Sequence, residues 1–268
     1  MDLPAAFDQQ RRSAEALGVG DAALRAHPGS VARHPALALH GNCAECALQH
    51  GCLPPDLSAS ERQSLEATIT SRHVLKSGEL LYSAGDRLVA LYAVRAGLFK
   101  TSMPLEDGRE QVTGFFLTGD MLGLDGIDKG YHTSQTVALD QSEVCVISWA
   151  SLQQTARESQ PLQHHAHRML GREIARDHNL MLMLGTMSAN ERVATFLLSF
   201  SQRMRSRGYS ASEFLLRMTR EEIGSFLGLR LETVSRSLSK LHEQGLIDAD
   251  RRHIVIRNMD GLARVVHG

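Results

Sequence analysis

The sequence predicts an α+β protein: a β-roll in the N-terminal half, one long helix, and a small C-terminal domain of short helices closed by a β-hairpin. Three observations carry this expectation. Between Glu79 and Trp149, short β-branched and aromatic runs alternate with glycine-rich turns, the pattern of closely spaced antiparallel strands. From Leu162 to Met187 apolar residues recur at helical intervals. After Asn190 come shorter helical stretches, and Gly245 to Arg257 reads as a hairpin.

In chain order, residues 1–42 are rich in Ala, Gln, Arg and His and show only one helix-like run, Leu3 to Leu17. They are expected to form a mobile arm. Pro54-Pro55 stops whatever precedes it, and Ser58 followed by Glu61 has the spacing of a capping box that opens a helix. The expected strands are Leu80 to Ser83, Leu88 to Val94, Leu98 to Ser102, Gln111 to Leu117, Gln135 to Leu139 and Glu143 to Ile147. Along the following helix, Leu170, Ile174, Asp177, Met181 and Leu184 recur at steps of four, three, four and three. That is the interval of a coiled-coil seam, equally compatible with packing inside one chain, and here it contains an acid.

Composition bounds the function. The 268 residues, 43% hydrophobic and 22% charged, suffice for two modest cores. No run approaches the roughly 20 apolar residues of a membrane span. Met1-Asp2-Leu3-Pro4 lacks the basic-then-apolar order of a secretory signal. A cytoplasmic protein with no membrane partner is expected. From Asn190 onward there are 13 Lys and Arg against 9 Asp and Glu, a basic excess that suits a polyanionic partner. No nucleophile–base pair and no dinucleotide glycine fingerprint is present, so an enzyme is not expected. His164, His165 and His167 read as surface histidines rather than a metal site.

The stretch Thr219 to Leu241 has the anatomy of a helix-turn-helix. Ile223, Leu227, Val234 and Leu238 fall where two crossing helices share a core, Gly224 is small enough for close approach, and Gly228 suits the tight turn. With the second helix running from about Leu231 to Gln244, Glu232, Ser235 and Arg236 lie at i, i+3 and i+4 on the face opposite Val234 and Leu238. That face is free to enter a major groove, where arginine can read guanine and glutamate can accept from cytosine. Thr219, Arg220, Arg251 and Arg252 are the candidate phosphate contacts. The competing reading is a solvated Glu232–Arg236 pair on an ordinary surface helix.

The only cysteines are Cys43, Cys46, Cys52 and Cys145. Three thiols within ten residues in a cytosolic chain point to a metal site rather than a disulfide framework. Zinc sites favour two close pairs, whereas three ligands on one loop plus a distant fourth suit an iron–sulfur cluster, so the spacing favours iron–sulfur over zinc. Cys145, between Val144 and Val146, could equally be an inert core thiol.

Taken together, the cysteine triplet with distal Cys145, the long helix carrying Ile174 and Asp177, and Glu232-x-x-Ser235-Arg236 resemble the CRP/FNR superfamily, specifically its FNR-type (fumarate and nitrate reduction) oxygen-sensing regulators. The resemblance runs from Cys43 to about Val266. It implies a β-roll sensor domain of the cyclic-nucleotide-binding type over 43–160, a dimerisation helix over 161–188 and a winged helix-turn-helix over 189–268. It also implies a [4Fe-4S] cluster on Cys43, Cys46, Cys52 and Cys145. A homodimer, switched at Ile174 and Asp177, would bind double-stranded DNA at an inverted repeat similar to TTGAT-N4-ATCAA and contact RNA polymerase. The family's nucleotide-binding branch holds the cyclic phosphate with an Arg-Ser pair. Here the comparable stretch is His132-Thr133-Ser134, so no cyclic nucleotide is expected. Two rivals remain: a regulator of the same fold that senses a small molecule and carries zinc, and an iron–sulfur redox carrier, which would need no helix-turn-helix.

Overall fold

The structure is a computed structural model and describes residues 36–37, 57–105 and 108–267. Apart from the short strand β1 (Ala36–Leu37), the proposed arm lies outside the described residues, as do Cys43, Cys46 and Cys52.

Helix α1 (Ala59–Glu66) begins at the capping box read from the sequence. The Glu61 backbone N–H donates to Ser58 Oγ, and the Ser58 N–H donates to the Glu61 carboxylate. Eight further strands follow: β2 (Ile69–Leu75), β3 (Leu80–Tyr82), β4 (Ala90–Ala96), β5 (Leu98–Pro104), β6 (Glu110–Leu117), β7 (Met121–Leu122), β8 (Gln135–Ala138) and β9 (Ser142–Ser148). They pair antiparallel into two sheets, in the orders β1-β2-β9-β4-β7 and β3-β8-β5-β6. Leu75, Val94, Phe99, Phe116, Ala138 and Val144 are among the buried side chains of the core they share. Strand β2 escaped the sequence reading because Thr70-Ser71-Arg72-His73 lacks the apolar alternation that marks a strand. The turn from β4 to β5 demands glycine: Gly97 has φ +90, and a Cβ there would come within 2.7 Å of the Ser142 Cα.

Helices α2 (Trp149–Glu158) and α3 (Gln160–Thr186) meet at Ser159, whose side chain accepts from the Leu162 N–H and donates to Glu61. Helix α3 has 27 residues and is therefore about 40 Å long. Only Leu162, His165 and Met183 along it are buried, while Leu170, Ile174, Met181 and Leu182 stand exposed. This apolar stripe finds no cover within the described residues.

The C-terminal part comprises α4 (Ala189–Arg205), β10 (Glu213–Leu215), α5 (Arg220–Leu227), α6 (Leu231–Glu243), β11 (Ile247–Asp250), β12 (His253–Ile256) and α7 (Met259–His267). The hairpin β11-β12 gains β10 as a third strand. Ile223, Leu227, Val234 and Leu238 are all buried, as the helix-turn-helix reading requires. The buried residues of this part form one continuous cluster with Leu98, Val112, Phe115 and Leu117 of the roll.

Gly224 is where the two helices meet. A Cβ there would lie 2.6 Å from the Leu229 carbonyl oxygen, a backbone atom that cannot step aside. Gly224→Ala should therefore cost about 1–3 kcal/mol of stability by overpacking, measurable as a lower urea midpoint at unchanged slope.

Candidate DNA interface and thiol site

Helix α5 starts at a second capping box: the Glu222 N–H donates to Thr219 Oγ1, and the Thr219 N–H donates to the Glu222 carboxylate. It stops at Gly228, left-handed at φ 62, and the short turn 228–230 launches α6. Val234, Ser237, Leu238 and Leu241 turn inward. Glu232 and Arg236 are exposed and Ser235 is half-buried beside them, so the three share the outward face. Ser239 and Lys240 continue that face one turn further. Among the described residues neither Glu232 nor Arg236 forms an ion pair, unlike the solvated pair that was the alternative.

The candidate phosphate contacts divide. Arg251 and Arg252 are exposed at the tip of the β11-β12 hairpin, Arg251 with φ 50. Thr219 is exposed but serves as the α5 cap. Arg220 is half-buried, and its Nη2 donates to the Arg251 carbonyl at 2.6 Å. That bond ties the start of α5 to the hairpin tip, and burial lowers the guanidinium pKa from its ordinary value.

What aims this face is its seat on the roll. The backbone N–H of Val112 donates to Ser225 Oγ at 2.9 Å, and the Gln111 side chain donates to the Ser225 carbonyl. Phe115 of β6 packs edge-on against Phe196 and Phe226. Lys100 Nζ lies 2.8 Å from Glu222 Oε1, each side chain 17% exposed. Asp120 receives Arg203 at 2.6 Å and Arg207 at 2.7 Å, both from the α4 end, with Arg176 of α3 at 3.9 Å. Arg192 donates to the carbonyls of Leu184, Met187 and Leu227, clamping the end of α3 to the end of α5. None of these contacts between elements follows from local sequence spacing.

Cys145 lies in β9, where the two-residue period sends Val144 and Val146 into the inter-sheet core and Cys145 to the opposite face. Cys145 is therefore not part of the inter-sheet core. On that face the sheet and helices α2 and α3 enclose a cavity of about 230 Å³ lined by Leu91, Ala93, Cys145, Ile147, Leu152 and Met169 among others. Its walls are almost wholly apolar. Among the described residues no group of three or more His, Cys, Asp or Glu is placed to hold a metal, and the cysteine triplet lies outside them.

The helix-turn-helix face, seated on a two-sheet roll, decides the comparison with known proteins. Residues 191–265 match the Crp-like helix-turn-helix domain, and 72–159 match the cyclic nucleotide-binding domain. The chain is 40% identical to the transcriptional regulatory protein btr of Bordetella pertussis over 84% of its length and 93% of that protein. It is 37% identical to the fumarate and nitrate reduction regulatory protein of Escherichia coli over 84% of its length and 90% of that protein. The chain belongs to the CRP/FNR family of transcription regulators. The solved structure of FixK2 from Bradyrhizobium japonicum, 33% identical, covers 72% of this chain and 96% of its own with a TM-score of 0.66. As a CRP/FNR member the chain is a transcription regulator whose DNA-binding element is the α5-α6 pair. No helix among the described residues is long and apolar enough to cross a membrane.

The Lys100–Glu222 contact makes this family member's domain seat acid-sensitive. Burial would raise the Glu222 carboxyl, but Lys100 and the Thr219 N–H hold it below the ordinary glutamate value. A lowered folded pKa lends stability that is complete above the unfolded value of about 4.3 and is lost as pH falls through the folded one. Glu222→Gln should cost about 1–2 kcal/mol at neutral pH. It should also flatten the fall in stability between about pH 5 and 3, as followed by urea unfolding at each pH.

Proposed function

We propose that this CRP/FNR regulator senses oxygen through a [4Fe-4S] cluster held by Cys43, Cys46, Cys52 and Cys145. As a cytoplasmic homodimer it binds an inverted repeat of the TTGAT-N4-ATCAA type and controls RNA polymerase when oxygen is scarce. The observation that carries the reading is a conjunction: Glu232, Ser235 and Arg236 share the outward face of α6, in a chain that holds four cysteines and is 37% identical to the fumarate and nitrate reduction regulatory protein of Escherichia coli.

The residues present fit the cofactor. Four thiolates are the usual ligand set of a cubane cluster, and Cys145 stands half-exposed on an apolar wall rather than sealed in the core. When bound, the cluster supplies an oxygen-labile redox centre. Every other task falls to the chain. Cys145 would present its thiolate to the cluster from the sheet beneath α3. The exposed apolar stripe Leu170, Ile174 and Met181 on α3 is the dimer seam, with Leu184 at its end. In a symmetric parallel pair the two Asp177 side chains come close, and their like charges hold dimerisation near balance. Glu232, Ser235 and Arg236 read bases, while Thr219, Arg220, Arg251 and Arg252 meet the phosphates.

Protein purified without air should contain four irons and four sulfides per chain, and Cys145→Ser should abolish cluster retention while leaving the fold intact. Iron and sulfide analysis with visible absorption decides this. Zinc in place of iron, or a full cluster in the Cys145 variant, overturns the assignment.

DNA binding gives a second test. Arg236→Ala should cost roughly 1–3 kcal/mol per half-site and flatten discrimination at one base pair. Arg251→Ala should weaken all sequences alike and lower the salt dependence by about one counterion per contact. Anaerobic titrations against a TTGAT duplex and its single-base variants at several salt concentrations separate the two roles. Equal loss at Arg236 across all variants would place that side chain on the backbone.

A further inference from the structure

Between β7 and β8 the roll gathers hydrogen-bond donors around one carboxylate. The 3₁₀ turn Leu124–Gly126 presents Asp125 to the segment 132–134. Asp125 Oδ2 accepts from the Thr133 N–H at 2.9 Å, the Ser134 N–H at 3.0 Å and the Ser134 hydroxyl at 2.9 Å, with Thr133 Oγ1 at 3.4 Å. Oδ1 lies 3.2 Å from His132 Nδ1. Two consecutive backbone N–H groups thus converge on one carboxylate oxygen, an arrangement of donors that suits an anion. His132 is 1% exposed and stacks on Tyr82 with ring centroids 3.8 Å apart. Gly123 and Gly126 press against the same imidazole, where a Cβ on either would come within 3.4 Å of it. The cradle is therefore rigid and close-packed.

These donors suit any singly charged oxyanion, whether a carboxylate or a phosphodiester. The surrounding residues 72–159 match a domain family described by its binding of cyclic nucleotides, which are phosphodiesters. We infer that Asp125 is an internal anionic ligand: its carboxylate fills the oxyanion cradle of the roll, which consequently takes no phosphodiester from solution and stays in its filled arrangement. The carboxyl is held below its ordinary value. Burial alone would raise it, but the contact with His132 and the Ser134 donors prevail. Its chain neighbours Leu124 and Ile127 line the cavity that also contains Cys145, so the filled cradle braces the wall beside that thiol. The inference stands independently of what the cysteines hold and of which DNA is read.

The test is chemical rescue of the full chain without cofactor or DNA. Asp125→Ala should lower the thermal midpoint by a few degrees. Sodium formate should restore part of that loss, whereas sodium chloride at equal ionic strength should not, and wild type should respond alike to both salts. Asp125→Gly, which also empties the cradle, provides the same comparison if D125A does not accumulate. In amide NMR spectra, cyclic AMP or inorganic phosphate should shift the Thr133 and Ser134 resonances of the variant and leave those of wild type unmoved. Formate no better than chloride in both variants would reduce Asp125 to an ordinary loop contact and overturn the inference. Movement of the wild-type Thr133 and Ser134 resonances on adding cyclic AMP would do the same, by showing the cradle open.

Discussion

The packing of Phe115, on strand β6, against Phe196 and Phe226 of the C-terminal helices is the constraint on which the rest of this molecule depends. It extends the core of the C-terminal domain onto the roll, where that core takes in Leu98, Val112 and Leu117 as well. A domain with a separate core could swing on its linker. Here a swing would expose buried aromatic surface, at a cost that grows with the apolar area returned to water. The outward face of α6 is accordingly aimed by the roll itself.

Charged groups refine that aim. Asp120 gathers Arg203 and Arg207 at the far end of α4, Lys100 holds Glu222 at the start of α5, and Arg192 clamps the ends of α3 and α5 through three carbonyls. These contacts are partly withdrawn from water, so each resists breaking more than a surface ion pair would. They also connect three elements: the roll, the long helix and the reading pair.

The roll uses its sheet faces for separate work. Between the sheets Val144 and Val146 build the core, while the outer face places Cys145 over an apolar cavity against α2 and α3. At the rim of the same roll, Asp125 gathers the donors of residues 132–134. A fold associated with an anionic ligand thus carries its own anion, and the face that meets the long helix carries the thiol.

The sequence by itself determined what is local or periodic. The capping box at Ser58 and Glu61, the crossing of α5 and α6 at Gly224, the outward triad Glu232, Ser235 and Arg236 and the long helix were all legible, because hydrogen bonds and side-chain periods within a few residues dictate them. Strand β2 was not legible, since its polar run Thr70 to His73 is a strand through pairing with distant segments, β1 on one side and β9, more than seventy residues away, on the other. Which face Cys145 takes needed the observed register of β9. That Glu222 meets Lys100, that Asp120 collects arginines from α4, and that Asp125 fills a cradle built by Thr133 and Ser134 were decided only by tertiary structure. Each is an electrostatic or hydrogen-bonding contact between elements, and nothing in the spacing of charges along a chain specifies which of them the fold will bring within 3 Å of one another.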